Sequence, residues 1–516
     1  MSSLAGGSYP PTLDDALEKD RLAQAIKDWT IANGLAVRPP PAVVSNNPEG
    51  ILAMSAPVTL FPSPFPKGCF EEAKAIQTKY NELYARISQD EEYLSGLVQE
   101  VASGDEFIAE LWKIHLRVKE EGYVQNLALG LFRSDYMVHQ DGDNLQIKQV
   151  EFNTIASSFG GLSAQTSLLH QHLAKNEYPL LQNPISRSSV DLPANNSAEG
   201  LAAGLAAAFR AYGQSTLGHP TCVLFITQDG ERNVFDQRHL EYALQSSSTT
   251  PDPIPVFRLP FSQLLTHTTL APSSPTRQLL YHPPHNPTLT FEVAVAYLRA
   301  AYGPSDYPTP TAWEARYQLE RSAAIKCPTI LTQLAGMKKV QQVLATPEAV
   351  STTPSALRRF VPNDEAAYAA LWRTFTNIYP LDTTPAGQAA RRLATDPDAC
   401  QRYVMKPQRE GGGNNFYRGA IPRQLKETPE EYWASYILME LITPPPVVNT
   451  ILRNGVLEQG GVICELGVYG TCLWDQGTGE VLRNEESGYL LRTKGDQSEE
   501  GGVAAGFGCM DSCRLV

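Results

Sequence analysis

The sequence predicts an α/β or α+β fold, because helices and strands alternate early in the chain and strands prevail late. Residues 70–87 carry apolar side chains at steps of three or four, which is typical of one helix face. Strand-like runs of apolar residues cover 145–152, 221–227, 403–406, 436–440 and 462–469. Helical patterns lie between the earlier strands at 233–245 and 313–327.

Local signals set the expected boundaries of these elements. Thr12 precedes a Leu-Asp-Asp run, so the first helix is expected to have its N-cap at Thr12. The proline-rich stretches 38–41 and 61–66 predict ordered coil or linker. Segments rich in Pro, Ser and Thr bury little apolar surface and are expected to be surface loops or insertions. They span 246–255, 271–277, 282–288, 303–311 and 345–356.

Length and composition exclude several classes of protein. At about 100–200 residues per domain, the chain predicts two to four domains or one body with insertions. The 516 residues include 42 basic and 55 acidic side chains, a formal net charge of −13. Nucleic acids and anionic membranes attract clustered Lys and Arg, so neither partner is expected. Neither a long apolar stretch nor a secretory signal is recognisable, so we expect no membrane span and no secretion.

The eight cysteines are dispersed without a CxxC pair, so neither a zinc ribbon nor a disulfide framework is indicated. Free thiols in a reducing cytosol are the favoured interpretation. Cys509 and Cys513 lie four residues apart, and a regulatory disulfide between them is the alternative. His170 and His172 would face different sides of a helix, which argues against a shared metal.

Residues 404–417 carry the most informative chemical pattern. A strand-like run leads into three consecutive glycines, flanked by Lys406, Arg409, Glu410 and Asn415. Glycines let backbone N–H groups approach an anion closely, so the segment predicts a phosphate cradle. Lys406 would neutralise phosphate charge, and Glu410 could hold a bridging magnesium ion. A flexible hairpin tip is the alternative, and the spacing excludes a P-loop.

Residues 147–161 combine a predicted strand with a glycine-ended loop. The period of two residues in a strand places Glu151 and Asn153 on one face and Phe152 on the other. Two oxygen-bearing side chains on one face suit a hard cation that keeps several waters. The Ser-Ser-Phe-Gly-Gly loop that follows offers hydroxyls and backbone donors for a carboxylate. An ordinary polar strand end is the alternative.

Two further segments are dense in polar residues. Residues 231–238 stand at the start of a predicted helix, and solvated helix surface is the alternative to a ligand site. Arg492 and Lys494 precede the small-residue loop 501–506 and could clamp an anionic substrate or serve as a tail cap. Neither segment identifies a reaction by itself.

Seven motifs, in order along the chain, resemble the eukaryotic glutathione synthetase family of ATP-grasp ligases. They are LxRSDYM at 131–137, QVEFNTIASSFGG at 149–161, ERNVFDQR at 231–238, KCPTILTQLAGMKKVQQ at 326–342, KPQREGGGNNFY at 406–417, YILME at 436–440, and LLRTK with GGVAAG at 490–494 and 501–506. An ordered set of this kind is far more specific than one glycine-rich loop.

The resemblance implies an ATP-grasp fold with an inserted parallel-sheet domain for substrate binding. The N-terminal part of the body would span 1–219, the inserted domain 220–328 and the C-terminal part 329–516. A lid is expected at about 375–460 within the C-terminal part. The resemblance also implies a cytoplasmic homodimer.

The implied reaction is the final step of glutathione synthesis. ATP phosphorylates the C-terminal carboxylate of γ-glutamylcysteine, and the amine of glycine attacks the acyl phosphate and releases phosphate. Mg²⁺ is the implied cofactor and ATP the co-substrate. Two alternatives remain: a ligase for another amine, such as β-alanine or serine, and an inactive ATP-binding scaffold.

The resemblance further implies roles for individual residues. The magnesium ligands would be Glu151, Asn153 and Glu410. The catalytic group would comprise Arg133, Lys338, Lys406 and Arg492. ATP would contact Glu151, Lys338, Lys406, Glu410, Gly411, Gly412, Gly413, Asn414, Asn415, Tyr417, Met439, Glu440, Leu441, Ile442, Glu465, Lys494 and Glu500. The dipeptide would contact Arg133, Ser157, Ser158, Glu231, Asn233, Gln237, Arg299, Tyr302, Arg492, Val503 and Ala504.

The sequence departs from the family pattern at three places. Ala156 replaces a family serine, and the pattern Arg-Asp-Gly-Tyr stands as Arg299-Ala-Ala-Tyr302. An acidic nucleotide contact, usually Asp, falls at Glu500. These changes concern substrate contact rather than the class of reaction.

The cations of the matched motifs predict the charge of the site. An acidic exterior around a locally basic cleft is expected, with Mg²⁺ offsetting the carboxylates inside it. The seven cations are Arg133, Arg299, Lys338, Lys406, Arg409, Arg492 and Lys494.

Overall fold

Helices and strands alternate through most of the chain in the computed structural model, which describes residues 9–40, 50–246, 253–272, 275–347, 356–499, 503, 506 and 508–516. The α-helices of the described residues are α1 (Ala16–Ala32), α2 (Lys67–Gln89), α3 (Glu91–Val101), α4 (Glu106–Glu121), α5 (Gly160–Asn176), α6 (Ser197–Tyr212), α7 (Val234–Gln245), α8 (Leu264–His267), α9 (Pro310–Arg321), α10 (Ile330–Ala335), α11 (Lys338–Ala345), α12 (Leu357–Phe360), α13 (Glu365–Thr374), α14 (Pro385–Thr395) and α15 (Ala420–Glu427).

Three strands of the described residues have 15 or 20 residues, and the others have ten or fewer. The strands are β1 (Ala36–Val37), β2 (Met54–Ser55), β3 (Val58–Thr59), β4 (Ser63–Phe65), β5 (Leu127–Asp141), β6 (Asn144–Asn153), β7 (Thr221–Thr227), β8 (Val256–Pro260), β9 (Thr268–Leu270), β10 (Leu279–Tyr281), β11 (Phe291–Leu298), β12 (Ile325–Cys327), β13 (Ile378–Pro380), β14 (Tyr403–Lys406), β15 (Phe416–Tyr417), β16 (Ile437–Glu440), β17 (Val447–Arg453), β18 (Val456–Asp475), β19 (Val481–Gly495), β20 (Cys509–Asp511) and β21 (Cys513–Leu515).

One mixed sheet of thirteen strands forms the body of the molecule. Its main path runs β17-β3-β20-β19-β18-β5-β12-β11-β10-β9, while β6 pairs with β5, and β7 pairs with β11 and β8. Alternate side chains of β5 point to opposite faces, so Phe132 packs in the core formed with α2 and Leu131 in the core formed with α6. Helices therefore cover both faces of the central strands, and the mixed α/β prediction is confirmed.

The strands β8, β7, β11, β12 and β5 each lie parallel to their neighbour. Parallel strands end at the same edge of a sheet, which brings the residues after β7 and β11 together. Strands β7, β8, β11 and β12 fall within the predicted domain 220–328, and the β12–β5 pair joins them to the long antiparallel strands. The three domain boundaries themselves stay a prediction.

A separate antiparallel sheet of four strands has the order β13-β16-β14-β15. It has its own small core, formed with α14 and α15 by residues such as Leu381, Met405 and Leu438. We call residues 378–440 the small-sheet module. The predicted lid at about 375–460 contains this module and also β17, which lies in the large sheet.

Most predicted elements are confirmed within a few residues. The helix predicted at 70–87 lies inside α2, and the strand predicted at 221–227 is β7. The strand predicted at 462–469 is part of the longer β18, and that at 436–440 begins one residue later. Periodicity therefore located the long elements correctly.

Three local predictions are wrong. The first helix is capped by Asp15 rather than Thr12, since the Asp15 carboxylate accepts the N–H groups of Leu17 and Glu18. The helix predicted at 313–327 ends at Arg321, and its last residues form the buried strand β12. A short apolar run fits a helix or a buried strand equally well. Residues 61–66 are not linker, because Ser63–Phe65 pairs with β21.

The predicted surface loops are mixed in outcome. Residues 284–288 are exposed, but the segment 303–311 contains the buried Tyr307 and the first residues of α9. Parts of the segments 246–255, 271–277 and 345–356 lie outside the described residues.

All eight cysteines are free thiols and all are buried, which agrees with the dispersed-thiol interpretation. Cys509 and Cys513 do not form a disulfide in this structure. Across the described ranges, no helix has the length and apolar character needed to cross a membrane.

A buried histidine predicts acid sensitivity of the fold. His170 on α5 accepts from the Ser512 hydroxyl through Nδ1 and donates through Nε2 to the Thr59 carbonyl. Burial lowers the pKa of His170 to about 4, against about 6.5 in the unfolded chain. As the pH falls, the unfolded chain therefore takes up a proton at His170 before the folded protein does. The contribution of His170 to the free energy of unfolding is fully present above pH 6.5 and is lost as the pH falls toward 4, by about 3 kcal/mol in total.

His170→Gln keeps a donor for the Thr59 carbonyl but cannot take up that proton. The difference in unfolding free energy between wild type and this variant is expected to shrink as the pH falls from 7.5 to 4.5. Urea unfolding at both values measures it. His172→Gln on the same helix is the control, since His172 is half-buried and contacts only Asn176 among the hydrogen bonds described. A difference that stays constant with pH would contradict the expectation.

Candidate active site

Four adjacent strands place charged side chains on one face of the large sheet. In the order β6, β5, β18 and β19, register pairs Asn153 with Arg133, and Glu465 with Arg492. Glu151 shares the face of Asn153, while Phe152 points to the other side and stacks on the Tyr84 ring. The prediction from the period of two residues is confirmed.

Asp135 is the centre of this face, and the sequence reasoning missed it. Its Oδ1 accepts from Arg133 Nε at 2.6 Å, and its Oδ2 accepts from Arg133 Nη2 at 2.8 Å. The same Oδ2 accepts from Asn153 Nδ2 at 3.0 Å and from Arg492 Nη2 at 2.9 Å. The residue is fully buried. One carboxylate thus orients three predicted site residues.

Gly467 of β18 leaves the space that this arrangement needs. A Cβ at that position would lie 2.7 Å from Arg133 Cδ and 2.8 Å from Asp135 Oδ1. Real Cβ contacts are longer, so any larger residue would displace the pair. The glycine therefore serves close approach rather than backbone flexibility.

Lys338, the first residue of α11, brings two predicted metal ligands together. Its Nζ lies 3.1 Å from Glu151 Oε2 and 3.3 Å from each carboxylate oxygen of Glu410. Burial alone would raise the pKa of Glu151, but Lys338 and then Lys406 outweigh burial and hold that pKa below its ordinary value. Burial, aided by the charge of Glu151, raises the pKa of Glu410 to about 7.

The triglycine segment lies beside these carboxylates in the small-sheet module. Lys406, at the end of β14, is buried and donates to the Val150 carbonyl at 2.9 Å. Gly411 and Gly413 have φ values of +81° and +91°, and their Cβ positions would meet nothing within 4 Å. This open, glycine-lined backbone fits the predicted phosphate cradle. Arg409 instead pairs with Asp105 at the start of α4.

The other predicted ATP residues are spread over three elements. Asn414 donates to the Gly411 carbonyl at 3.2 Å, and Asn415 donates to the Tyr417 hydroxyl at 3.4 Å. Met439 is buried on β16, and Glu440 accepts from Asn377. Leu441 and Ile442 follow β16 and are half-buried. These side chains line the module from β14 to β16.

Of the remaining predicted ATP residues, Glu465 lies on β18 and Lys494 on β19. Arg492 lies between Asp135 and Glu465 and pairs with both. Lys494 donates to the Glu499 carbonyl. Glu500 and Ala504 lie outside the described residues, and Val503 is buried. The loop 501–506 is therefore only partly placed.

Arg299 and Arg133 meet at the loop after β6. Arg299 donates to the Ser157 carbonyl at 3.1 Å and to the Ser158 hydroxyl at 2.7 Å. Arg133 donates to the Ser158 carbonyl at 3.1 Å, and the Tyr469 hydroxyl donates to the same oxygen at 2.6 Å. The predicted dipeptide residues of two distant segments are thus brought together.

Two backbone donors of this loop are already used inside the protein. The Asp236 carboxylate accepts from the N–H groups of Phe159 at 2.7 Å, Gly161 at 2.8 Å and Leu162 at 3.2 Å. The backbone donors of Phe159 and Gly161 thus bind a carboxylate of the protein itself, while carboxylate binding by the Ser157 and Ser158 side chains stays a prediction. The start of α5 is an anion site, but a side chain of α7 occupies it.

Glu231, Asn233 and Gln237 form a compact group at the start of α7. Glu231 accepts from the Asn233 N–H at 2.8 Å and from Gln237 Nε2 at 2.6 Å. Tyr302 follows β11, and its N–H donates to Asp306 at 3.1 Å. The ends of β7 and β11 therefore carry these predicted dipeptide residues at one edge of the parallel region.

The central face of the site, which carries Asp135, is balanced in charge. Each cation of the central face contacts a carboxylate or a carbonyl oxygen. The four cations Arg133, Lys338, Lys406 and Arg492 face the four carboxylates Asp135, Glu151, Glu410 and Glu465. The central face is thus balanced because buried charge is retained where it is paired. A basic excess in the wider cleft, to which Arg299 and Lys494 would contribute, stays a prediction.

Comparison with known proteins defines the class. The sequence model of the family described as eukaryotic glutathione synthase, ATP binding domain, matches residues 16–515. A glutathione synthetase-like effector from Globodera pallida, solved in its apo form, has the same fold, with a TM-score of 0.73 at 22% identity over 98% of each chain. The fold and the site, with this match, define an ATP-dependent ligase of the ATP-grasp type.

Relatives of nearly equal length specify the family. The glutathione synthetase large chain of Schizosaccharomyces pombe is 38% identical over 96% of this chain and 97% of that one. The Homo sapiens glutathione synthetase is 38% identical over 97% and 98%, and the chloroplastic enzyme of Solanum lycopersicum is 36% identical over 98% and 86%. The chain belongs to the eukaryotic glutathione synthase family.

Proposed function

We propose that the chain catalyses the ATP-dependent ligation of γ-glutamylcysteine with glycine to give glutathione, ADP and phosphate. Family membership over residues 16–515 carries this proposal. The geometry supports it, because the carboxylates around Lys338 adjoin the Asp135 network, which reaches the loop at Ser158. A phosphate-binding region and a dipeptide-binding region would then share one face.

The reaction proceeds in two displacements. An oxygen of the dipeptide's C-terminal carboxylate attacks the γ-phosphorus of ATP, and the bond to ADP breaks. The amine nitrogen of glycine then attacks the acyl carbon and forms the C–N bond. The carbon–oxygen bond to phosphate breaks, and the nitrogen gives up a proton to water. Positioning and charge neutralisation dominate such transfers, so no enzyme nucleophile is required.

The chain's own cations would do this work. Lys338 and Lys406, both buried, would lie against the phosphates and offset their charge. Arg133, held in place by Asp135, would stabilise negative charge that develops on the tetrahedral carbon. Arg299 and Ser158 would bind a carboxylate of the dipeptide, and Glu231 would accept from its ammonium group. The triglycine segment would close over the acyl phosphate and keep water out.

The residues present fit a magnesium ion. Glu151 and Glu410 converge on one point, since both contact Lys338 Nζ, and Asn153 shares the face of Glu151. Among the described residues no three His, Cys, Asp or Glu side chains form a metal cluster. Two carboxylates and an amide, completed by phosphate oxygens, are typical of Mg²⁺. When bound, the ion supplies further charge neutralisation at the phosphates.

Turnover with defined substrates tests the proposal. Purified protein with Mg²⁺, ATP, γ-glutamylcysteine and glycine is expected to release ADP and phosphate and to form glutathione, measured by coupled ADP release and by mass spectrometry. Faster turnover with β-alanine or serine than with glycine would instead favour the related ligase. ADP release no greater than in a reaction without dipeptide would favour the inactive scaffold.

We also propose that the protein is a cytoplasmic homodimer. Family membership supports the dimer, and eight free thiols are typical of a reducing compartment. Sedimentation equilibrium is expected to give the mass of two chains. Cell fractionation is expected to recover the protein with cytosolic markers, while recovery with an organelle would point to a location like that named for the Solanum lycopersicum relative.

A further inference from the structure

Arg258 lies behind the predicted dipeptide residues and contacts one of them. It stands on β8, which pairs in parallel with β7, and faces α7. Arg258 Nη1 donates to Glu241 Oε1 at 2.5 Å, and Arg258 Nη2 donates to Gln237 Oε1 at 2.6 Å. Gln237 and Glu241 are one helical turn apart on α7, so a single guanidinium spans both.

The guanidinium fixes the orientation of the Gln237 amide. Because Arg258 donates to the amide oxygen, the amide nitrogen must point the other way, and it donates to Glu231 Oε2 at 2.6 Å. Glu231 Oε1 is held by the Asn233 N–H at 2.8 Å. Each oxygen of Glu231 thus has one fixed donor, and its carboxylate keeps a defined direction.

Burial makes this chain of contacts specific. Gln237 is 1% exposed and Glu241 is 2% exposed. A buried amide oxygen that loses its donor is costly, so the amide would turn or draw in water if Arg258 were removed. A lysine could pair with Glu241, but it lacks the planar fork that reaches two acceptors at once.

We propose that Arg258, anchored by Glu241, is a positioning residue for dipeptide binding that acts through Gln237 and Glu231. This inference rests on the proposed function. Glu231 is the single carboxylate in the set of residues expected to bind the dipeptide, and γ-glutamylcysteine has a single ammonium group. A fixed Glu231 carboxylate therefore suits that ammonium group.

Dipeptide binding by calorimetry tests the inference without requiring turnover. Arg258→Met is expected to raise the dissociation constant of γ-glutamylcysteine about tenfold, the effect of losing about one buried hydrogen bond. In turnover, KM for the dipeptide should rise similarly, while KM for ATP stays within about twofold, since no predicted ATP residue is a hydrogen-bond partner of Arg258, Gln237 or Glu231 among the bonds described. Arg258→Lys should give an intermediate value.

Arg238→Met is the matched control. Arg238 Nη1 also contacts Glu241, at 2.6 Å, but the Arg238 side chain is 44% exposed and the contact is with the other carboxylate oxygen. This variant is expected to bind the dipeptide as wild type does. Thermal unfolding of every variant shows whether a change in binding follows a loss of fold.

A double-variant cycle decides whether Arg258 acts through Gln237. In a Gln237→Ala background, adding Arg258→Met is expected to change dipeptide affinity by less than about twofold. A full additional loss there, or an equal loss in Arg238→Met, would overturn the proposal. So would unchanged affinity in Gln237→Ala, which would remove Gln237 from the dipeptide site. Failure of the wild type to form glutathione while these affinities change as expected would count against the proposed reaction alone.

Discussion

Glu410→Ala is expected to lower kcat/KM for ligation by about 10³-fold or more, because several kcal/mol of charge stabilisation at the phosphates would be lost. The Glu410 carboxylate meets Glu151 at the Lys338 ammonium, which is the point where we propose Mg²⁺ to be held. The variant should stay folded, since Lys338 keeps its contact with Glu151. Turnover at saturating ATP and circular dichroism measure the two effects.

Glu430→Ala is the control for that variant. Glu430 also lies in the small-sheet module, is 71% exposed and pairs with the buried Arg391. Its loss should leave turnover unchanged, because Glu430 contacts none of the predicted site residues among the ion pairs and hydrogen bonds described. A near-normal rate in Glu410→Ala would show that the metal assignment is wrong, whatever the result at Glu430.

Asp135→Asn is expected to reduce both stability and activity. The asparagine NH₂ would face N–H donors of Arg133, Asn153 or Arg492, so a buried guanidinium would lose its charge partner. Breaking a buried ion pair from one side costs about 3–5 kcal/mol. Misplacement of Arg133 should also lower kcat/KM by about 10²-fold. Urea unfolding and steady-state kinetics measure the two losses.

Glu485→Gln on β19 provides the comparison. Glu485 also pairs with an arginine, Arg483, but its side chain is 53% exposed. We expect the free energy of unfolding of Glu485→Gln to lie within about 1 kcal/mol of the wild-type value. If Asp135→Asn behaved in the same way, the buried carboxylate would not be the organising centre of the site.

The regular part of the fold was predictable because it follows from periodicity. Strand alternation correctly assigned Glu151 and Phe152 to opposite faces, and the apolar stripe located α2. The end of α9 was not predictable, because three residues of β12 are too few to distinguish a strand from a helix. The N-cap of the first helix was also predicted at the wrong residue, since the side chain of Asp15 rather than that of Thr12 accepts the first N–H groups.

The contacts within the site were less predictable than its members. Asp135 and Arg492 are separated by 357 positions in sequence, and only the pairing of β5, β18 and β19 brings them together. The signal for Asp135 was present, since an acid two residues after Arg133 interrupts an apolar strand. The use of Asp236 at the start of α5 had no comparable local signal, because its partners lie 74 to 77 residues away.

The continuity of the large sheet has a mechanical consequence. The strands under the Asp135 network and those that precede Glu231 and Arg299 belong to one hydrogen-bonded sheet, through β5, β12, β11 and β7. A continuous sheet resists displacement of its strands within its plane. It therefore holds the Asp135 network and the residues Glu231 and Arg299 at a fixed separation. The small-sheet module has its own core and carries Lys406 and the triglycine segment. We therefore expect substrate binding to move the small-sheet module toward the large sheet, while the large sheet stays in place.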